Sequence, residues 1–103
     1  MGWYPDYLDP DNYLWSFAHT DASEDLGIFY SNPDMDALLV EAQTETDTAK
    51  RMELYKQIQE LWTVEVPTIP FTQGQLLVVT QKNVSGVVLD PTMFLHYFTL
   101  SKE

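Results

Sequence analysis

The sequence contains no cysteine, which excludes a disulfide framework and any metal site built on thiolates. It has only four glycines, and none of them lies in a glycine-rich loop of the kind that binds phosphate groups. No apolar stretch approaches the roughly 20 residues that a membrane-spanning helix needs. Basic residues are also scarce, because no Lys or Arg occurs before Lys50.

Acidic residues dominate what is present, and the formal net charge is −11. Residues 1–49 carry eleven acids and no base, whereas residues 50–103 carry five of each. Nucleic acid is therefore not expected as a partner, since phosphate binding needs clustered Lys and Arg. An anionic membrane surface is not expected as a partner for the same reason. The acidic half is either a solvated surface or a recess that attracts a cationic group.

The pattern of residues 31–65 predicts a helical hairpin within a single small domain of 103 residues. The first helix, over residues 31–45, has Asn32 as its N-cap and Pro33 at its first position. The second helix covers residues 47–65 with Asp47 as N-cap, and the short link makes the pair antiparallel. Apolar side chains at helical spacing predict the buried faces, namely Met35, Leu38, Leu39 and Ala42 on the first helix and Met52, Tyr55, Ile58, Leu61 and Trp62 on the second.

The flanking regions predict loops and strands. Asp9 and Pro10 favour a short helical turn over residues 11–17, and residues 18–30, which show no period, are predicted to be a polar loop. After Pro67 and Pro70, apolar runs predict strands at residues 76–80, 87–89 and 94–100, with a turn at 83–86. Helices followed by strands indicate an α/β or α+β element set.

Three acids near the N-terminus are candidates for the start of a metal-binding loop. Asp6, Asp9 and Asp11 resemble the beginning of a calcium loop, but the central glycine and the bidentate Glu of an EF-hand are missing. His19 and His96 are far apart in sequence, which argues against zinc. No serine lies in a nucleophile elbow. We therefore expect no metal, no cofactor and no catalytic residue, and hence a protein that is not an enzyme.

Aromatic side chains are concentrated in the same acidic segment. Eight of the 14 aromatics fall in residues 1–30, among them Trp3, Tyr4 and Tyr7 beside Asp6. A flat aromatic wall next to a carboxylate suits a ligand with a planar or apolar body and a cationic end. A peptide with a free α-amino group and a sugar stacked on Trp3 both fit. Equally, these aromatics could fill a core between the loop and the helices.

Four stretches, in the same order and spacing, resemble the signature regions of the family 5 extracellular solute-binding proteins, which include the dipeptide- and oligopeptide-binding proteins. The match spans nearly the whole chain. The first stretch runs from Gly2-Trp3-Tyr4-Pro5-Asp6 to Leu14, and the second runs from Tyr30-Ser31-Asn32-Pro33 to Leu39. The third runs from Asp47 to Tyr55 and contains Arg51, and the fourth is Pro67-Thr68-Ile69-Pro70.

The resemblance implies a two-lobed, type II periplasmic-binding-protein architecture, of which this chain is a C-terminal fragment. Residues 1–66 would belong to the second, ligand-binding lobe, with the helical hairpin at about 32–65. Residues 67–103 would cross the hinge as strands and end in a tail that packs towards the first lobe.

The resemblance also implies the ligand-binding residues. In peptide-binding members of the family, a Trp and an Asp in a Gly-Trp-x-x-Asp pattern lie at the ligand cleft, and the Asp pairs with the peptide's α-amino group. These positions are Trp3 and Asp6 here, with Tyr4 beside them. Asp9, Asp11 and Asn12 are interpreted as residues that shape the loop.

The function implied is that of the substrate-binding component of an ABC importer, located outside the cytoplasmic membrane, which captures peptides and delivers them to a membrane permease. Two alternatives stay open. The ligand could be an oligosaccharide or another solute, or the fragment could lack ligand affinity and self-associate through exposed faces.

Overall fold

The computed structural model describes residues 2–103, which form two compact units. The helical unit is Asp9–Pro70 and contains every α-helix of the described residues. The extended unit combines the residues that precede Asp9 with Phe71–Glu103, and it contains a short sheet. The mixture of helices and a small sheet is compatible with the predicted α/β class. The lobe boundaries implied by the resemblance stay predictions.

The helical unit contains α1 (Pro10–Ala18), α2 (Thr20–Ser23), a 3-10 turn (Glu24–Leu26), α3 (Pro33–Thr44) and α4 (Thr48–Glu65). The three predicted N-caps are confirmed. Asp9 accepts from the Asp11 amide at 2.9 Å, Asn32 from the Asp34 amide at 2.9 Å and Asp47 from the Lys50 amide at 2.9 Å. Each cap satisfies an amide that the first turn of a helix leaves without a partner.

The core of the helical unit lies between α1, α3 and α4. The predicted face of α3 is confirmed, because Met35, Leu39 and Ala42 are buried and Leu38 packs against them. On α4, Leu54, Tyr55 and Ile58 are buried, with Leu61 and Trp62 partly buried. Met52 was wrongly assigned to this face, since its side chain is 60% exposed. Leu54 lies on the buried face of α4 instead of Met52. It is four residues before Ile58, a spacing that places both side chains on the same side of a helix.

Residues 18–30 were wrongly predicted to lack regular structure, since they contain α2 and the 3-10 turn. Their order comes from polar contacts rather than from an apolar period. Asp36 on α3 accepts from the Thr20 amide at 2.8 Å and from the Thr20 hydroxyl at 2.6 Å. The buried Ser23 donates to the Tyr30 carbonyl at 2.9 Å. Such long-range side-chain contacts leave no periodic signal in the sequence.

The sheet of the extended unit has two strands, β1 (Val84–Ser85) and β2 (Ser101–Lys102), which pair antiparallel with Val84 opposite Lys102. A 3-10 turn (Tyr97–Thr99) precedes β2. Gly86 follows β1 with a φ of 79°, and a Cβ there would lie 1.9 Å from the carbonyl oxygen of Thr99. Only glycine allows the backbone at position 86 to come this close to Thr99. The Thr99 hydroxyl donates a hydrogen bond to the Gly86 carbonyl at 2.6 Å and so joins the two residues.

The predicted strands at 76–80, 87–89 and 94–100 are wrong, and the predicted turn at 83–86 instead contains β1. The residue types favour extended backbone, but a strand is defined by hydrogen bonds to a neighbour. Within the described residues, these runs have no neighbouring strand to pair with. No helix among the described residues is long and apolar enough to cross a membrane.

Burial predicts different costs for shortening two adjacent side chains of α3. Leu39 is 1% exposed, and we expect Leu39→Ala to lower the free energy of unfolding by about 2–5 kcal/mol because it leaves a cavity. Val40 is 47% exposed, and Val40→Ala is the matched control, expected to cost less than about 1 kcal/mol. Urea unfolding followed by far-UV circular dichroism measures both. Equal costs would contradict this assignment of the core.

Candidate functional site

The predicted ligand-binding residues lie together in an irregular segment of the extended unit. Trp3, Tyr4 and Asp6 are exposed, and the exposed fraction is 38% for Trp3 and 55% for Tyr4. Pro5, between them in sequence, is buried and anchors the segment. The backbone bends over residues 6–9 before α1 begins. Two aromatic faces and one carboxylate are thus accessible within four residues.

This segment has the chemical parts that a ligand with a cationic end requires. A carboxylate accepts charge-assisted hydrogen bonds from an ammonium group, and indole and phenol rings supply flat apolar surface. The ring of Pro5 fixes its own φ and restricts the backbone of Tyr4, which limits the backbone entropy lost when a ligand orders this segment. The roles assigned to Trp3, Tyr4 and Asp6 stay predictions.

The strongest polar contact of the helical unit joins the start of α1 to α4. The guanidinium of Arg51 donates to both carboxylate oxygens of Asp9, from Nη1 at 2.9 Å and from Nη2 at 2.7 Å. The two side chains are 27% and 30% exposed. A bidentate pair of this kind fixes orientation as well as distance. The interpretation of Asp9 as a residue that shapes the loop is consistent with these contacts.

Arg51 also ties α3 into the same junction. Its Nε donates to the Ala42 carbonyl at 2.9 Å, and its Nη2 donates to the Tyr55 hydroxyl oxygen at 2.7 Å. The Ala42 carbonyl lies in the last turn of α3, where carbonyls lack helical partners. We call Asp9, Ala42, Arg51 and Tyr55 the Arg51 junction. It connects the three longer helices of the unit through one side chain.

The pKa shifts in the Arg51 junction follow from its geometry. Hydrogen bonds from Arg51 lower the pKa of Asp9 below its ordinary value, and the same contact raises the pKa of Arg51. Burial raises the pKa of Tyr55 to about 12, because a buried phenolate would be poorly solvated. At neutral pH the junction therefore holds a carboxylate, a guanidinium and a neutral phenol.

The partnership of Asp9 with Arg51 and Tyr55 was not predicted from the sequence. Arg51 is the sole arginine of the chain, and Tyr55 follows it by four residues, which places both on one face of α4. Those two signals mark a polar position beside the core. They do not identify which of the 16 acids is the partner, because Asp9 lies 42 residues away in sequence.

The other acids of the supposed calcium loop have different surroundings. Asp11 accepts from the side-chain amide of Gln43 at 2.9 Å, and both oxygens of Asp9 face Arg51. Residues 2–103 contain no group of three or more His, Asp or Glu side chains placed to hold a metal ion.

Both histidines have defined neighbours. His19 stacks on Trp15 with ring centroids 4.0 Å apart and accepts from the Asp21 amide at 3.3 Å, so it caps α2. In the extended unit, His96 lies 3.4 Å from Asp90. Hydrogen bonds from the hydroxyl and the amide of Thr92 lower the pKa of Asp90, with a smaller contribution from His96. Structural roles account for both rings.

Known proteins similar to this chain are peptide-binding proteins. The chain is 36% identical over 93 residues to the oligopeptide-binding protein OppA of Bacillus subtilis, and the aligned region covers 89% of the chain and 17% of OppA. It is 33% identical over 106 residues to the dipeptide-binding protein of Escherichia coli, covering 100% of the chain and 20% of the relative. Identity to the peptide transport periplasmic protein SapA of Salmonella typhimurium is 28% over 105 residues, 99% of the chain and 19% of SapA. No protein-family model matches the chain.

The chain matches a segment of the family 5 peptide-binding proteins, as the resemblance of its motifs predicted. The chain spans about a fifth of the length of the relatives it matches. All three relatives are named for the binding or transport of peptides.

The Arg51 junction predicts a specific loss of stability on neutralising Asp9. Asp9→Asn preserves the helix cap, since Asn caps as well as Asp, but removes the charge that faces Arg51. We expect the free energy of unfolding at pH 7 to fall by about 1–3 kcal/mol. The control is Glu53→Gln, which removes an exposed pair with Lys56 at 3.6 Å and should cost less than about 0.5 kcal/mol.

The pH dependence of the Asp9→Asn effect follows from the sign of the shift. Because the folded pKa of Asp9 is lowered, its contribution is present above the unfolded pKa and is lost as pH falls through the folded pKa. The difference between wild type and Asp9→Asn should therefore shrink below about pH 4. Urea unfolding at several pH values measures it, and a difference that grows on acidification would contradict the assignment.

Proposed function

We propose that this chain forms part of the substrate-binding component of an ABC importer, which captures peptides outside the cytoplasmic membrane and delivers them to a permease. The observation that carries this proposal is the accessible carboxylate of Asp6 beside the exposed rings of Trp3 and Tyr4. The peptide-binding relatives from Bacillus subtilis and Escherichia coli support it. The periplasmic location in the name of SapA supports a site of action outside the cytoplasm.

The proposed mechanism is binding followed by closure of two lobes, with no bond made or broken. The protein is in this view not an enzyme and needs no cofactor. Residues 1–66 would contribute to the ligand-binding lobe, and residues 67–103 would return towards the other lobe. Hinge closure around the ligand excludes water, which strengthens the contact between the ligand and the carboxylate.

Each residue of the proposed site has a distinct role. Asp6 pairs with the α-amino group of the peptide through a charge-assisted hydrogen bond. Trp3 forms a wall against the first residues of the ligand, and Tyr4 adds a second aromatic surface with a hydroxyl that can donate or accept a hydrogen bond. Backbone hydrogen bonds from other parts of the protein would hold the peptide while tolerant pockets accept its side chains.

An oligosaccharide is the second candidate ligand, because the exposed rings of Trp3 and Tyr4 also suit stacking on a sugar. A sugar carries no cation, so it would gain nothing from Asp6. The two ligands therefore differ in their dependence on one carboxylate.

The test is a double-mutant cycle between the protein and its ligand. We would place the chain in the dipeptide-binding protein of Escherichia coli in exchange for the matched segment, which covers the whole chain. Dialanine and N-acetyl-dialanine are titrated calorimetrically into this chimera and its Asp6→Asn variant. We expect Asp6→Asn and acetylation each to cost about 2–5 kcal/mol, and the two together to cost little more than one alone.

The control variant is Asp25→Asn, which neutralises an exposed acid in the helical unit and should leave dialanine affinity unchanged. The unmodified Escherichia coli protein and the circular dichroism of the chimera establish that the assay and the fold are intact. If a folded chimera binds dialanine equally well with and without Asp6, the ammonium role is wrong. If it ignores peptides and binds maltotriose, the sugar candidate replaces the peptide.

A further inference from the structure

A short stretch of chain connects Asp6 to the Arg51 junction. Only Tyr7 and Leu8 stand between Asp6, which belongs to the extended unit, and Asp9, with which the helical unit begins. The backbone bends over residues 6–9. Because the reach of so short a stretch is small, whatever fixes the backbone of Asp9 limits the conformations that are open to Asp6.

Asp9 is held through both its backbone and its side chain. Its φ of −144° and ψ of 143° are extended values, and the ring of Pro10 disfavours helical values for the residue before it. Its side chain accepts from the Asp11 amide at 2.9 Å, which ties it to the first turn of α1. Both carboxylate oxygens also accept from the guanidinium of Arg51, at 2.7 and 2.9 Å. These hydrogen bonds leave Asp9 with one orientation.

A second restriction lies at the other end of the stretch. Pro5 is buried, its own φ is fixed by its ring, and it restricts the backbone of Tyr4. Between Pro5 and Asp9, only residues 6–8 lack a restriction from a proline ring. Releasing Asp9 from Arg51 adds one more residue to those that a ligand must order. Ordering one free residue lowers affinity by about tenfold.

We propose that Arg51 is a positioning residue for the peptide ligand, which holds Asp9 and thereby keeps the carboxylate of Asp6 ready for the α-amino group. This inference rests on the function proposed for Asp6. Arg51 itself does not contact the ligand, because its guanidinium is occupied by Asp9, Tyr55 and the Ala42 carbonyl. Its contribution is to reduce the freedom that Asp6 loses on binding.

The sign of one substitution separates positioning from electrostatic attraction. Arg51 is a cation, so its charge opposes the binding of an ammonium group nearby. If charge alone acted, Arg51→Gln would raise the affinity for a peptide. Positioning predicts the opposite, because Arg51→Gln releases Asp9 and so lowers the affinity.

Calorimetric titration of dialanine at pH 7 into the chimera described above measures this change. We expect Arg51→Gln to weaken binding at least fivefold with unchanged stoichiometry, since a folding defect would instead reduce the number of binding sites. Lys56→Gln removes an exposed charge from the same helix, and Ile58→Val shortens a buried side chain of the core. Both controls should bind within twofold of the unsubstituted chimera. A fivefold loss in either control would overturn the proposal.

The Asp6→Asn background tests whether Arg51 acts through Asp6. In that background we expect Arg51→Gln to change dialanine affinity less than twofold, because the carboxylate to be positioned is gone. An equal loss in both backgrounds would overturn the proposal, as would an unchanged or raised affinity in Arg51→Gln alone. If Asp6→Asn alone leaves the affinity unchanged, the proposed ammonium role is wrong and this inference fails with it. If Asp6→Asn weakens binding and Arg51→Gln does not, this inference alone is wrong.

Arg51→Lys is the second variant, used if circular dichroism shows that Arg51→Gln does not fold. Lysine keeps the charge but cannot form the two parallel hydrogen bonds of a guanidinium with a carboxylate. We expect Arg51→Lys to weaken dialanine binding at least threefold, again only where Asp6 is present. An affinity equal to that of the unsubstituted chimera would overturn the proposal.

Discussion

The ion pair between Asp9 and Arg51 fixes how the three longer helices of the helical unit are joined. Its two parallel hydrogen bonds hold the first turn of α1 against α4, while Arg51 reaches the last turn of α3 through the Ala42 carbonyl. The apolar core beneath it fixes distances between the helices but is tolerant of sliding. A bidentate pair has one preferred geometry, so it also fixes register. Asp9 thereby serves as both helix cap and ion-pair partner.

The sequence predicted the helices well because their determinants are local. Asn32 with Pro33, and Asp47 before α4, mark helix starts by side chains that act within three residues. Met52 was wrongly assigned to the buried face because the apolar stripe of α4 is broad. Whether a residue at the edge of that stripe is buried depends on which neighbouring element packs against it. α2 was missed since its order depends on Asp36, which lies 16 residues from Thr20. Contacts at such separations have no local signature.

The strands and the candidate site show a different limit. Residues 76–80 have the composition of a strand, yet pairing is a property of two segments, and the second is not among the described residues. Trp3, Tyr4 and Asp6 were singled out by motif resemblance, and the structure adds that their side chains are accessible. Their combined action on a ligand depends on surfaces that this chain, a fifth of its relatives' length, does not contain.

The role proposed for Asp6 is to receive the α-amino group of a peptide. A crystal structure of the chimera with bound dialanine would test it most directly. We expect the ammonium nitrogen to lie about 2.7–2.9 Å from a carboxylate oxygen of Asp6, with the first peptide residue against Trp3. An ammonium group paired with a different acid, while Asp6 faces solvent, would contradict it.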